Sequence, residues 1–163
     1  MTTFDLAAAA YRMGAQYLRN ICADLTPEEF QHQPVPGTNS AAWIVGHLTL
    51  SVRRAAERYG ATDVPPLKDD FVERFKATRQ QAGNQTNLGS KEELFAAFDV
   101  MVEKAMEAIR KLPPETLTAP PPTPAPAVVK SSGEMLFFGA MHITLHCGQI
   151  STIRRSLGKP PLV

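Results

Sequence analysis

The stretch His142-Ile-Thr-Leu-His146-Cys147-Gly-Gln149 places two imidazoles four residues apart and a carboxamide three residues further on. On an α-helix, residues i and i+4 stand on adjacent turns of one face, so both rings can aim a nitrogen at a common point. Imidazole serves as general base, proton shuttle and ligand for divalent transition metals. Three situations accommodate such a pair: a solvent-facing stripe, two core histidines, or a shared bound partner. Phasing at about 100° per residue argues against the first. Met135, Gly139, Ile150, Ile153 and Leu157 cluster on one face, with His142 and His146 predicted near its middle and Gln149 at its edge. Burying an unsatisfied polar group costs roughly 1–3 kcal/mol, so each ring needs a partner, and a metal ion is the simplest one that two imidazoles can share. The same phasing turns Cys147 well away from the pair, which makes it a poor candidate for joining them.

Two ligands make a weak site, and the chain has only four histidines. His47, in "AAWIVGHLTLSVRR", falls at the border of an apolar helix face between Ile44 and Ser51, from which it can lean towards a neighbouring helix. Taken alone, such a histidine is more often a satisfied or partly exposed side chain than a ligand. The His142/His146 spacing alone also arises by chance on helices. His32 lies in a proline-bounded loop and is not a candidate. Trp43, Phe137 and Phe138 read most simply as core or seam residues. Gln149 is either a hydrogen-bonding partner of a ligand or of solvent, or a partly exposed polar residue.

These residues need helices to position them, and the pattern supplies four. The first is predicted from Phe4 to Leu25, with Phe4, Ala8, Tyr11, Ala15, Leu18, Cys22 and Leu25 as its apolar stripe. "TPEEF" adds a short turn, with Thr26 as cap and Glu29 completing a capping box. The second long helix runs from about Ser40 to Tyr59, with Ala41, Ile44, Leu48, Val52, Ala55 and Tyr59 inward and Gly60 as its stop. The third opens on the Ser90/Glu93 capping box, and Leu94, Phe98, Met101, Ala105, Ile109 and Leu112 form its stripe. The fourth opens on Ser131/Glu134 and ends at Leu157-Gly158. Two long connections separate the helices. Residues 61–89 are mixed, with "DDFVERF" as a short helix and "QQAGNQTNLG" as loop; residues 113–130 form a proline-rich, semi-rigid crossover. No strand-like alternation and no repeat stands out. The fold class is therefore all-α: a four-helix bundle with a long crossover, one domain over 1–163.

A length of 163 residues suits one core, and the formal net charge of +1 implies no field that would attract nucleic acid or an anionic membrane. The basic pairs Arg53-Arg54 and Arg154-Arg155 suit solvated faces or helix C-termini. Two cysteines, Cys22 and Cys147, make no disulfide framework, and Cys22 reads as a small buried hydrophobe. The N-terminal residues lack the basic region of a signal peptide, and no apolar run reaches the ~20 residues of a membrane span. A cytoplasmic, reducing location is the expectation.

At "NSAAWIVGHL" (39–48) and "MHITLHCGQISTIRRSLGKPP" (141–161) the sequence resembles the DinB/YfiT-like metalloenzyme family. The shared pattern is a tryptophan four before a histidine in the second helix, then HxxxHxGQ in the last, followed by an arginine and a Leu-Gly-x-Pro-Pro-like tail. The resemblance implies a four-helix bundle with a long crossover, frequent homodimers, and a divalent metal held by His47, His142 and His146. Zinc or nickel is the expected ion. Three protein ligands with water at the remaining positions would mark a catalytic rather than a structural site. Relatives include S-transferases and isomerases that use low-molecular-weight thiols, so the resemblance implies a metal-dependent transferase acting on a small thiol and an electrophile. Two alternatives are metal-dependent hydrolysis of a small substrate and non-catalytic, stress-linked metal binding. Hydrolysis would need an acid or base, which Asp69, Asp70 or Glu73 could supply only if the 61–89 segment folds over the site.

Overall fold

Four hydroxyl side chains begin the four long helices. Thr2 caps α1 (Thr3–Cys22), and its own N–H is taken by the carboxylate of Asp5. Ser40 caps α3 (Ala41–Arg58), Ser90 caps α5 (Lys91–Arg110) and Ser131 caps α6 (Ser132–Ser156), each accepting from the backbone N–H three residues on. Thr26 and Glu29 form a reciprocal box on the short α2 (Pro27–Gln31), and "DDFVERF" is the short α4 (Asp69–Phe75). At Ser90 and Ser131 only the serine's half of the expected box is made, and Glu134 accepts from the N–H of Lys130 instead. The first helix stops three residues before the expected Leu25. Its last carbonyls are claimed by the Lys91 ammonium, which donates to Cys22, Ala23 and Leu25.

The computed structural model describes residues 1–76 and 87–160. Most of the "QQAGNQTNLG" segment and Pro161 of the tail lie outside them. Among the described residues there is no strand, and no helix is long and apolar enough to cross a membrane. Around the bundle the order of long helices is α1, α5, α3, α6 and back to α1. Helices α1 and α3 therefore stand diagonally, as do α5 and α6, and the chain must cross an end of the bundle to join each pair. That accounts for the 23–40 and 111–131 connections. A short 3-10 turn, Pro114–Leu117, interrupts the second of these. Of the four seams, α3–α6 is the most open.

The second and third helices bury the residues that their spacing predicts, except that Leu112 is only partly covered. In the first helix Ala15 is half-buried for the same reason, lying at the rim of the stripe. The last helix differs more. Its covered face centres on Leu136, Ala140, Ile143, Cys147 and Ile150, so the true centre lies on the Cys147 side. His142 and His146 sit at the edge of that face, not in its middle. The reason is that α6 is apolar almost all round: Phe137, Met141 and Leu145 point outwards and are exposed, which leaves no polar side to fix the phase. Phe137 is accordingly a surface residue and not part of the core. Tyr11 reaches across from α1 to Gly139, where any Cβ would fall 1.8 Å from the phenolic oxygen, so the close α1–α6 approach requires glycine there.

Arg154 stands in the last turn of α6, the helix C-terminus expected for the basic pair. It is 1% exposed and does not lie on a solvated face. Its guanidinium grips Asp24 with two nitrogens and donates to the carbonyls of Ile21 and Pro160. This ties the ends of α1 and α6 and the following tail into one knot, and the planar fork lets one cation serve three partners. Asp24, held below the usual carboxylate range first by its hydrogen bond to Arg154, stays ionised. Replacing Arg154 with Ala empties a buried volume and strands two carbonyls. Equilibrium urea unfolding is expected to show a loss of about 3 kcal/mol. Arg154→Lys should recover little, since one ammonium cannot span the same acceptors.

Candidate metal centre

The most open seam is where the three histidines meet. His47 projects from α3, and His142 and His146 from successive turns of α6. One ligand atom from each lies within 4.8 Å of the other two. The rings of His47 stand 5.4 Å and 5.2 Å from those of His142 and His146, close to edge-on. His32 stands elsewhere, at the end of α2 against Ser156. Among the described residues no cysteine or carboxylate joins the cluster. Asp69, Asp70 and Glu73 are exposed on α4, where Asp70 pairs with Arg74 and Glu73 with Lys76.

Each ring has a second nitrogen, whose surroundings bear on the tautomer. Gln149 Oε1 lies 2.8 Å from His146 Nδ1. A carboxamide oxygen only accepts, so Nδ1 carries the proton and Nε2 keeps a lone pair. Ser51 Oγ lies 3.2 Å from His142 Nδ1. A hydroxyl both donates and accepts, so His142 can hold its proton on either nitrogen. The main chain of Phe75, at the end of α4, acts on His47 by favouring its charged form, against the larger effect of burial. The two Nε2 atoms of His142 and His146 are 3.0 Å apart. Two lone pairs cannot face each other at that distance without a cation or a proton between them. Imidazole nitrogens sharing a metal at about 2.0–2.1 Å stand roughly 3.0–3.4 Å apart, depending on geometry. The donor set therefore fits a divalent transition metal, with Ser51 free to take the Nδ1 proton of His142 as its Nε2 lone pair turns to the ion.

Electrostatics point the same way. Burial, and then the neighbouring His146 and His142, bring His47 down to about 4; burial and His146 do the same for His142. Burial lowers His146 as well, opposed by its bond to Gln149. All three are neutral at pH 7, the form that binds metal. Aromatic rings flank them: Trp43 stacks on His47 at 4.9 Å, nearly parallel, and Phe138 lies over His142 at 6.5 Å. Cys147, as its turn on the helix predicts, is apart from the cluster. It is fully buried, and burial pushes both it and Cys22 up to about 12, so neither is a thiolate nucleophile at neutral pH. Sequence reasoning missed two members of this environment, Ser51 and Phe75. Ser51 lies one turn beyond His47 on α3 and could have been found by spacing; no signal in the sequence points to the main chain of a separate short helix.

An all-α bundle with three neutral histidines gathered across one seam defines a helical protein with a candidate metal site. The DinB superfamily model matches residues 10–150, and the chain belongs to that superfamily. Among solved structures it is similar to a conserved protein from Enterococcus faecalis, with a TM-score of 0.73 at 16% sequence identity, over 98% of this chain and 99% of that one. At that identity the likeness establishes the fold alone. No curated protein matches the chain.

The depressed histidines set a pH dependence with a definite sign. Between about 6.5 and 4 the unfolded chain takes up protons that the folded rings resist, so stability is full above pH 6.5 and falls as pH drops towards 4. Urea midpoints of metal-stripped protein should be lower at pH 5 than at pH 7.5. The drop should shrink in His47→Gln, which carries no titrating ring.

Proposed function

We propose that His47, His142 and His146 bind a divalent metal, zinc or nickel, and that the protein is a single-domain transferase acting on a small thiol. One observation carries this reading: two Nε2 atoms at 3.0 Å, joined by a third imidazole, in a cluster without any carboxylate among the described residues. When bound, a divalent ion lowers the pKa of a thiol beside it and so supplies the thiolate, the nucleophilic form. The sulfur then bonds to an electrophilic carbon, whose leaving group departs with the electron pair, and the thiol proton passes to solvent. The chain's own part is to hold three neutral rings, His146 in the tautomer that Gln149 sets, and to keep water off two sides with Trp43 and Phe138. This chemistry asks for no protein acid or base, which agrees with a cluster that Asp69, Asp70 and Glu73 do not join. Hydrolysis would need such a group, and ranks lower for that reason. A cytoplasmic, reducing setting, where small thiols abound, belongs to the same proposal.

The homodimer implied by family resemblance has a face available to it. Met13 on α1 and Phe137, Met141 and Leu145 on α6 are exposed around an uncharged groove of about 760 Å³. With a net charge of only +1, a second copy meets little repulsion, and a two-helix apolar face is self-complementary about a two-fold axis. Sedimentation should give a dimer for the native chain and a monomer for Leu145→Glu.

Metal analysis of the purified protein tests the main reading. One equivalent of metal is expected after incubation with zinc or nickel, none in His142→Ala, and an unchanged amount in His32→Ala. The loaded protein should then conjugate a cellular thiol to a generic electrophile. Loaded metal without turnover on any thiol would leave a non-catalytic metal binder and sink the transferase.

A further inference from the structure

Gly46, the residue before His47, leaves a notch in α3 that is filled by a side chain from the long connection. A Cβ at Gly46 would fall 2.3 Å from Cδ1 and 2.5 Å from Cγ of Phe75. Contact that close to Cγ, the root of the ring, cannot be relieved by swinging the ring's far edge. Nor is there room to move: Phe75 is fully buried, packs on Phe71 with centroids 4.7 Å apart, and carries the Arg74 guanidinium 5.4 Å over its face. Arg74 itself donates to the Leu88 carbonyl at 2.9 Å, fastening α4 on its other side. A substituent at residue 46 would therefore shift α4 as a unit. Phe75 lies against the residue next to His47, and its main chain also acts on that ring. One residue thus does two things: its side chain docks α4 on α3, and its main chain meets the histidine next to the docking point.

We propose that α4 is a strut of the metal centre: Phe75, seated in the Gly46 notch, is a positioning residue that fixes the orientation of the His47 imidazole. The inference rests on the metal-binding reading above. It makes the 61–76 connection part of the site and gives Gly46 a purpose beyond helix packing. His142 and His146 have their partners on α3 and α6 themselves. His47, stacked on Trp43 of its own helix, is the one of the three that also meets a separate short helix, and is the ligand whose geometry can be lost while the bundle stays intact.

The test uses the full chain loaded with Co²⁺, whose visible spectrum reports ligand geometry, and Zn²⁺ affinity measured by chelator competition, both well below each variant's melting temperature. Gly46→Ala fills the notch and Phe75→Ala empties it. Both should keep the helical circular dichroism, shift the Co²⁺ bands and weaken Zn²⁺ binding by roughly 10–100-fold, the usual effect of losing a group that orients a ligand. Leu18→Ala, which creates a core cavity on α1, should lower the melting temperature while leaving spectrum and affinity unchanged. A native spectrum and affinity in either folded notch variant would overturn the strut. The same would follow if Leu18→Ala disturbed the spectrum as much, because general loosening would then explain the effect. His142→Ala separates the two levels: if it binds metal as tightly as the native chain, it is the metal reading that fails.

Discussion

Three imidazoles share one partly buried corner, and no carboxylate among the described residues is there to balance a positive charge. That constraint governs the rest. A second proton on any ring would bury a cation with no anion beside it, in a medium that screens poorly, so the rings stay neutral. Neutral rings have one donor and one acceptor each: Gln149 assigns those of His146, and Ser51 can serve either tautomer of His142. The inner nitrogens of those two rings then meet at one point. The site is defined less by what points into it than by what holds the backs of its rings.

The bundle serves this arrangement through unequal seams. Close packing along α3–α5 and α1–α6 holds the helices, while α3–α6 stays open enough for three rings. Small residues set the distances: Gly139 admits Tyr11 on the tight side, and Gly46 admits Phe75 beside the site. At the far end, Arg154 knots the ends of α1 and α6, so the helix that carries two of the histidines cannot slide along its axis.

Much of this was legible in the residues. Serine caps marked the starts of the second, third and fourth long helices to within a residue, because capping is a local hydrogen bond written in adjacent side chains. The short α2 was legible for the same reason, whereas α4 was expected although no side chain caps it. The three histidines were found by spacing and by family resemblance, and the fold brings them together. The phase of α6 was not legible, since phase is read from the contrast between polar and apolar sides and Phe137, Met141 and Leu145 erase it. The burial of Arg154 was not legible because a guanidinium signals solvent unless its partner is known, and Asp24 lies 130 residues away. Phe75 belongs to the same class: its role depends on a tertiary contact with Gly46 that no periodicity encodes.

The diagonal placement of α1 with α3, and of α5 with α6, has a consequence for the order of events in assembly. His47 is separated from the two histidines of α6 by more than ninety residues, and the last helix docks chiefly on the first. The loop closed by that contact is nearly the whole chain, so its entropy is lost only when the bundle completes. During synthesis the histidine on α3 emerges long before its partners, and a single imidazole binds metal weakly. The three-histidine cluster comes into being only at ring closure, so a metal ion bound by all three rings would report that the bundle is complete.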